Sequence, residues 1–146
     1  MPRVRVDLII ETDVDVVWKA VCDVESYPRC MDNVRSVRLL GQDGDVRTTA
    51  WSVLLKGSIL EWSESERIDD AARRLEFVQV DGDLDVFTGY WQVDEEAPGR
   101  TRVALDIEFE IGIPLLAPML NPVAERALRD NSRQMLLGLE SQALRA

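Results

Sequence analysis

Residues 46–67, which read VRTTAWSVLL, then KG, then SILEWSESER, decide the fold. Val46 to Leu55 is rich in β-branched and aromatic side chains, which favour a strand. Lys56-Gly57 then marks a tight reversal, and the chain returns as a second strand from Glu61 to Arg67. This stretch predicts an antiparallel hairpin.

The same alternation of strand and turn continues on both sides of the hairpin. The turn signals are Gly41–Gly44, Asp69–Arg73, Asp81–Asp83 and Glu95–Gly99. The strands that they separate are Val34–Leu40, Leu75–Val80, Val86–Val93 and Arg102–Ile111. Strands at such regular spacing indicate one antiparallel sheet.

The N-terminal segment predicts one more strand and two short helices. Val4, Val6, Leu8 and Ile10 alternate with mostly polar residues, as in a half-buried strand. Thr12-Asp13 supplies a helix cap, and apolar residues follow at helical spacing from Val14 to Val21. Because a residue before proline avoids the α region, we expect a corner at Tyr27 and a short second helix through Met31.

The C-terminal segment predicts a long helix. Prolines at 114, 118 and 122 place its start near Pro122, since proline is tolerated only in a first turn. Residues 123–145 then read as helical, with Gly138 as the one weak point. The chain is therefore predicted to be a single α+β domain over residues 1–146, in which a curved seven-stranded antiparallel sheet wraps around the terminal helix and leaves an internal cavity.

Charge and composition exclude several classes of function. The chain has 27 acidic and 17 basic residues, which gives a net charge of −10. Nucleic-acid binding needs a basic surface, and anionic membranes repel an acidic protein. The amino end lacks an apolar signal region and no run is long enough to span a membrane, so we expect a cytoplasmic protein without membrane insertion.

The absence of histidine limits the available chemistry. It removes the commonest general base and metal ligand, together with every Ser-His or Cys-His arrangement. Cys22 and Cys30 have neither metal-site nor disulfide-framework spacing and are expected to be core thiols. We predict a site without metal or cofactor, built from carboxylates, arginine, hydroxyls or water.

One amide interrupts the apolar stripe of the terminal helix. Ala124, Leu128, Met135 and Leu139 recur at spacings of three and four, and Asn131 lies among them. A buried amide without a partner costs about 1–3 kcal/mol. Since the predicted strand from Glu61 to Arg67 is also polar, we expect the two elements to enclose a polar ligand.

Several strings of the chain together resemble a known superfamily. They are Val17-Trp18, Asp23–Pro28, Leu40–Asp45, Ser65–Ile68, Tyr90-Trp91, Glu108–Glu110 and Arg129–Asn131. Their order resembles the START/Bet v1-like (SRPBCC) helix-grip proteins, most closely the single-domain polyketide aromatase/cyclases of the tetracenomycin type. Gly82–Leu84 with Gly89–Trp91 is also similar to coenzyme Q-binding START proteins.

The resemblance implies a catalytic set of Arg67, Ser65, Asn131 and Tyr27. Arg67 would lie at the cavity floor and stabilise an enolate, with Ser65 on the same strand face. Asn131 would hold a carbonyl or hydroxyl, and Tyr27 would place a phenol near the mouth. The alternatives are a surface Arg67 paired with neighbouring carboxylates, an Asn131 that bonds backbone, and a Tyr27 that only packs on its proline.

The chain also departs from the family pattern. Val34 stands where the family has a tyrosine, and Glu61 and Ser63 stand where it has aromatics, unless a bulge turns Trp62 inward. Of Glu61 and Glu64, we expect at most one in the cavity. The expected substrate-binding residues are Trp51, Glu61, Ser63, Phe87, Trp91, Leu105, Ile107, Leu128 and Met135.

Two functions remain open at this point. The first is a cofactor-independent cyclase that directs aldol cyclisation and dehydration of a poly-β-ketone on an acyl carrier protein. Its candidate docking surface is Arg126, Arg129 and Arg133, for which a solvated helix face is the favoured alternative. The second is a non-catalytic carrier of a quinone, lipid or sterol. Both are compatible with a monomer or a homodimer.

Overall fold

A seven-stranded antiparallel sheet and a long C-terminal helix make up most of the computed structural model, which describes residues 2–112 and 117–146. The elements in order are β1 (Arg3–Ile10), α1 (Val14–Cys22), a 3₁₀ turn (Val24–Ser26), α2 (Tyr27–Cys30), β2 (Val34–Asp43), β3 (Val46–Leu55), β4 (Ser58–Asp69), β5 (Arg74–Gly82), β6 (Val86–Ala97), β7 (Arg100–Glu110) and α3 (Ala117–Arg145). The strand order across the sheet is β1-β7-β6-β5-β4-β3-β2. The predicted α+β architecture is confirmed.

The β3–β4 hairpin is confirmed with its turn at Lys56-Gly57, and β4 begins at Ser58 instead of the predicted Glu61. Its pairing runs without interruption from Val46 opposite Arg67 to Leu55 opposite Ser58. Lys56 and Gly57 form the turn with φ of 49° and 80°. Two successive residues with positive φ match the right-handed twist of a hairpin. A two-residue turn is therefore enough to connect the strands.

The corner predicted at Tyr27 is wrong. Tyr27 has φ −54° and ψ −41°, which is α-helical, and it is the first residue of α2. Pro28 then occupies the first turn of the helix, where its missing N–H is not needed. The steric preference of a residue before proline is overcome because the Tyr27 side chain is buried and hydrogen-bonded in the core.

The predicted start of the terminal helix is also wrong, because α3 already begins at Ala117. Pro122 lies inside the helix and its ring is on the exposed side. It is the sixth helical residue, so it removes only one backbone hydrogen bond close to the helix start. Pro114 lies outside the described residues.

Gly138, the weak point of the helical pattern, lies where α3 crosses α2. A Cβ at this position would overlap the carbonyl oxygen of Cys30 and would stand 2.9 Å from Cγ of Met31. The glycine therefore costs helix propensity but allows the two helices to approach closely. None of the described helices is both long and apolar enough to cross a membrane.

Candidate functional site

A cavity lies between the inner face of the sheet and α3. The empty space, including the part open to solvent, is about 650 Å³, but the centre of a water molecule reaches only about 50 Å³ of it. The space is therefore narrow. The lining residues are Trp51, Val53, Leu60, Glu61, Trp62, Glu64, Phe77, Gln79, Asp83, Leu84, Phe87, Trp91, Leu105, Ile107, Leu128, Asn131 and Met135.

Aromatic rings form one wall of the cavity. Trp51 and Trp62 stack almost parallel, with ring centroids 5.7 Å apart, because the β3–β4 register places them directly opposite. Phe87 follows at 5.1 Å from Trp62, and Phe77 at 5.7 Å from Phe87. Gly82 lies opposite Trp62 on β5, and a Cβ there would overlap the Cβ of Trp62. Such a wall suits a flat, apolar ligand.

Two buried carboxyl groups follow the tryptophan on the same strand. Side chains alternate along β4, so Trp62, Glu64 and Glu66 all belong to its inner face. Both glutamates are buried. Glu64 lines the cavity and accepts a hydrogen bond of 2.7 Å from Nε1 of Trp62.

Glu66 lies beyond the cavity and is bonded to a cation. Its Oε1 accepts a hydrogen bond of 2.5 Å from Nε of Arg47, and its Oε2 accepts one of 3.0 Å from the Thr49 hydroxyl. Nε1 of Trp51 donates in turn to that hydroxyl at 2.8 Å. These donors occupy both carboxyl oxygens of Glu66 and fix its position.

Glu64 has the opposite electrostatic environment. Burial is the main cause that raises its pKa well above the usual glutamate value, and the hydrogen bond and negative charge of Glu66 raise it further. The hydrogen bond from Trp62 and the charge of Arg47 act in the other direction and are outweighed. These effects together favour the protonated form of Glu64 beside the cavity.

Asn131 contributes a further polar group from the helix side. It lines the cavity, and its Nδ2 makes only a long contact of 3.9 Å to the sulfur of Met135. Its Oδ1 is buried without a hydrogen-bond partner. A buried acceptor without a hydrogen-bond partner lowers the stability of the protein. Such an acceptor is expected where a ligand supplies the missing hydrogen bond.

The rim of the cavity is acidic. Glu61 and Asp83 are exposed and also line the cavity. Two hydrogen bonds join them: the Glu61 amide donates to Oδ2 of Asp83 at 2.8 Å, and the Asp83 amide donates to the Glu61 carbonyl at 3.2 Å. Among the lining residues that the structure describes, none is lysine or arginine.

The structure brings together most of the residues predicted to bind substrate. Trp51, Glu61, Phe87, Trp91, Leu105, Ile107, Leu128 and Met135 line the cavity, as does Asn131. The expectation that at most one of Glu61 and Glu64 enters the cavity is wrong. Glu64 belongs to the inner face, and Glu61 contributes from the rim, where the cavity opens.

Arg67, Ser65 and Ser63 are not in the cavity, so their predicted placement is wrong. Arg67 is exposed, and none of the three is a lining residue. They alternate with Glu64 and Glu66 and therefore belong to the outer face of β4. The strand pairs with β3 without a shift, and the one irregularity beside it, where Val80 is the extra residue, lies on β5. No bulge is needed to turn Trp62 inward.

Tyr27 does not reach the mouth of the cavity. It is fully buried, and its hydroxyl donates to the carbonyl oxygen of Val21 at 2.5 Å. Its ring packs edge-on against Trp51 and Trp91, with centroids 5.6 and 6.0 Å away. Burial raises the pKa of the phenol well above its usual value. Tyr27 supports the aromatic wall from behind.

Glu66 and Arg47 are the polar groups that sequence reasoning missed, and Glu64 was considered only as an alternative to Glu61. A signal was present, because the apolar residues of β4 are Leu60, Trp62 and Ile68, all at even positions, apart from Ile59 at the start of the strand. Even positions therefore form the buried face, which includes both glutamates.

The cysteines show no sign of reactivity. Cys22 and Cys30 are half-buried free thiols, and burial raises the pKa of Cys22 to about 12. Within residues 2–112 and 117–146, no group of three or more Cys, Asp or Glu side chains is arranged to bind a metal.

Comparisons with known proteins agree with this architecture. Residues 10–136 match the family model described as polyketide cyclase / dehydrase and lipid transport. A search of curated proteins gives no match.

Solved structures cover the chain almost completely. TTHA0849 from Thermus thermophilus is 27% identical, with a TM-score of 0.92, and the match covers 99% of this chain and 98% of that protein. The Zhui aromatase/cyclase from Streptomyces sp. R1128 is 19% identical, with a TM-score of 0.90 and coverages of 99% and 94%. A START superfamily protein from Mycobacterium smegmatis is 18% identical, with a TM-score of 0.81 and coverages of 96% and 97%. With its family model matched over most of its length, the chain belongs to the polyketide cyclase / dehydrase and lipid transport family.

Proposed function

We propose that this protein is a cofactor-independent cyclase and dehydratase of poly-β-ketones, with Glu64 as its acid–base group. The observation that supports this most strongly is a buried carboxyl, hydrogen-bonded to Trp62 at a narrow aromatic cavity, whose raised pKa suits a group that both donates and accepts protons. The family and its aromatase/cyclase fold relatives are consistent with it.

The first step would be an intramolecular aldol addition. A β-diketone is partly enolic, so the enol carbon attacks a second carbonyl carbon of the same chain and forms the C–C bond. Glu64 gives its proton to that carbonyl oxygen, and the enol hydroxyl, oriented by Oδ1 of Asn131, returns a proton to the Glu64 carboxylate. No proton is gained or lost overall.

Dehydration would follow in the same cavity. The Glu64 carboxylate, formed when its proton passes to the departing hydroxyl, removes the proton from the carbon between the new alcohol and the remaining carbonyl. The C–H and C–O bonds break, a C=C bond forms and water leaves. Enolisation of the ketones that remain in the ring then gives an aromatic product without an oxidant.

The aromatic wall would select the carbons that react. A flexible polyketone has many possible aldol pairings, and a narrow cavity between Trp62, Phe87 and α3 admits few of them. Placement of two carbons at reacting distance supplies several kcal/mol of the rate enhancement. Arg67 has no part in this proposal.

The test is product analysis with a minimal polyketide synthase and its acyl carrier protein, with and without this protein. A shift toward one ring pattern is expected. An unchanged product distribution, with folded protein confirmed by circular dichroism, would remove the cyclase proposal.

A second candidate is a non-catalytic carrier of a hydrophobic ligand, because most lining residues are apolar and the family includes lipid transport. It predicts tight binding of a hydrophobic ligand without a change in polyketide products. The same product assay therefore separates the two candidates.

A further inference from the structure

The charges around the cavity restrict what can enter it. Glu61 and Asp83 lie at the rim and Glu64 lies deeper, whereas no described lining residue is basic. Residues 113–119, whose side chains are not described, contain no charged residue in the sequence either. The nearest buried cation, Arg47, is already bonded to Glu66 and is not a lining residue. A ligand anion would therefore lose its water with no counter-charge in return.

The two polar groups inside the cavity differ in what they offer a ligand. Oε1 of Glu64 already accepts from Trp62, and Glu64 is also hydrogen-bonded to Glu66, so its hydrogen-bonding groups have partners in the protein. Oδ1 of Asn131 can only accept, and it has no partner in the protein. A matching ligand carries a donor toward Asn131 and no negative charge toward Glu64.

We propose that the cavity takes an uncharged, flat ligand with an enol or phenol hydroxyl for Asn131, and that it excludes ligands with a carboxylate on the part that enters. This inference rests on the proposed function, since it concerns the ligand of the same cavity. It adds that the substrate is neutral along its enclosed length and that carboxylated analogues are rejected.

Three matched probes test the proposal by isothermal titration calorimetry at neutral pH. They are an acetylnaphthol with hydroxyl and acetyl at opposite ends of the ring, the hydroxynaphthoate with a carboxylate in place of the acetyl group, and acetylnaphthalene without the hydroxyl. The neutral acetylnaphthol should bind most tightly. The hydroxynaphthoate should bind about 100-fold more weakly because of like-charge repulsion, and acetylnaphthalene about tenfold more weakly because Asn131 stays unpaired.

Variants assign these differences to particular residues. Glu61→Gln should improve the binding of hydroxynaphthoate relative to that of acetylnaphthol about threefold, as expected for an exposed charge. Glu95→Gln makes the same charge change at an exposed carboxyl away from the cavity and should alter neither. Asn131→Leu should bring acetylnaphthol down to the affinity of acetylnaphthalene.

The outcomes are decisive in both directions. Equal binding of the acetylnaphthol and the hydroxynaphthoate, or no binding of the acetylnaphthol to folded protein, overturns the proposal. If the acetylnaphthol binds as expected but polyketide products do not change, only the proposed cyclase function fails. If products change but the hydroxynaphthoate binds equally well, only the charge selection fails.

Discussion

Asp106 on the outer face of the sheet and Glu64 on the inner face are equally shielded from water, with 2% and 3% of their surfaces exposed. Asp106 accepts hydrogen bonds from Nε of Arg3 at 2.8 Å, from Arg5 at 3.4 Å and from the Tyr90 hydroxyl at 3.3 Å. These partners, Arg3 above all, lower the pKa of Asp106. Glu64, beside another carboxylate, has its pKa raised.

The difference shows that burial raises the pKa of a carboxyl unless basic partners compensate for it, as they do for Asp106 and not for Glu64. Asp106 is an ion with its charge fully compensated, and it ties β1 to β6 and β7. Among the residues that the structure describes, Glu64 has no basic partner of its own, because Arg47 is bonded to the neighbouring Glu66. A compensated ion stabilises a sheet, whereas an uncompensated acid beside a cavity is available for chemistry.

The largest expected effect is on stability. It follows from removal of the cation of the inner cluster, which consists of Glu64, Glu66 and Arg47. Arg47→Met leaves Glu66 charged and buried without its partner, and should lower the free energy of unfolding by about 3–5 kcal/mol. Urea denaturation measures it. Arg102→Met, at an exposed arginine that bonds Glu96 and Asp7, is the control and should change stability little. Equal losses in both variants would show that the inner cluster is not special.

The next effect is on activity. Glu64→Gln keeps the size of the side chain but cannot exchange a proton, so cyclisation should fall about 100-fold or more. Product formation under single-turnover conditions measures this, with circular dichroism as a check of folding. Asp106→Asn, the matched change on the outer face, should leave the rate unchanged. Full activity of Glu64→Gln would remove Glu64 from the mechanism.

The third effect is a pair of opposite pH dependences of stability. Glu64 binds its proton more tightly in the folded state, so its stabilising contribution is present below the ordinary glutamate pKa of 4.5 and is lost as pH rises toward the folded pKa. The slope is at most about 1.4 kcal/mol per pH unit. Asp106 behaves in reverse: its contribution is present above the ordinary pKa of 3.8 and is lost as pH falls.

Urea midpoints measured from acid to mildly alkaline pH test both signs. Glu64→Gln should remove the decline at rising pH, and Asp106→Asn should weaken the decline at falling pH, by less because Arg3 is exposed to solvent. A Glu64→Gln variant with the same pH profile as the parent protein would contradict the raised pKa.

The last prediction is that one substitution changes neither activity nor binding. Arg67→Ala, on the outer face of β4, should leave both cyclisation and acetylnaphthol binding within about twofold of the parent values, because exposed side chains outside a site contribute little. Loss of cyclisation in this variant would show that β4 presents its other face to the substrate.

The fold could be predicted from the sequence because its signals are local. The Lys56-Gly57 turn, the alternation in β1 and the apolar stripe of α3 each identify an element without knowledge of the rest. The helix start was misplaced because proline at 122 removes only one hydrogen bond, which packing of α3 outweighs.

The inner face of β4 could not be predicted from the family pattern. Residues 61–67 carry polar groups on both faces, and a strand with two polar faces specifies its orientation weakly. The resemblance placed Ser65 and Arg67 inside, whereas packing of Trp62 against Trp51 places Glu64 and Glu66 there. Two carboxylates on a buried face break the usual pattern, as functional sites often do.

Gly138 has a consequence for engineering. Its missing side chain lets α3 rest against the backbone of Cys30, and α3 also forms one wall of the cavity through Leu128, Asn131 and Met135. The width of the cavity therefore depends on a residue that does not contact the ligand. Gly138→Ala would push α3 away from Cys30 and widen the cavity. In binding titrations, the variant should accept wider aromatic ligands than the parent protein, and its free energy of unfolding should be lower.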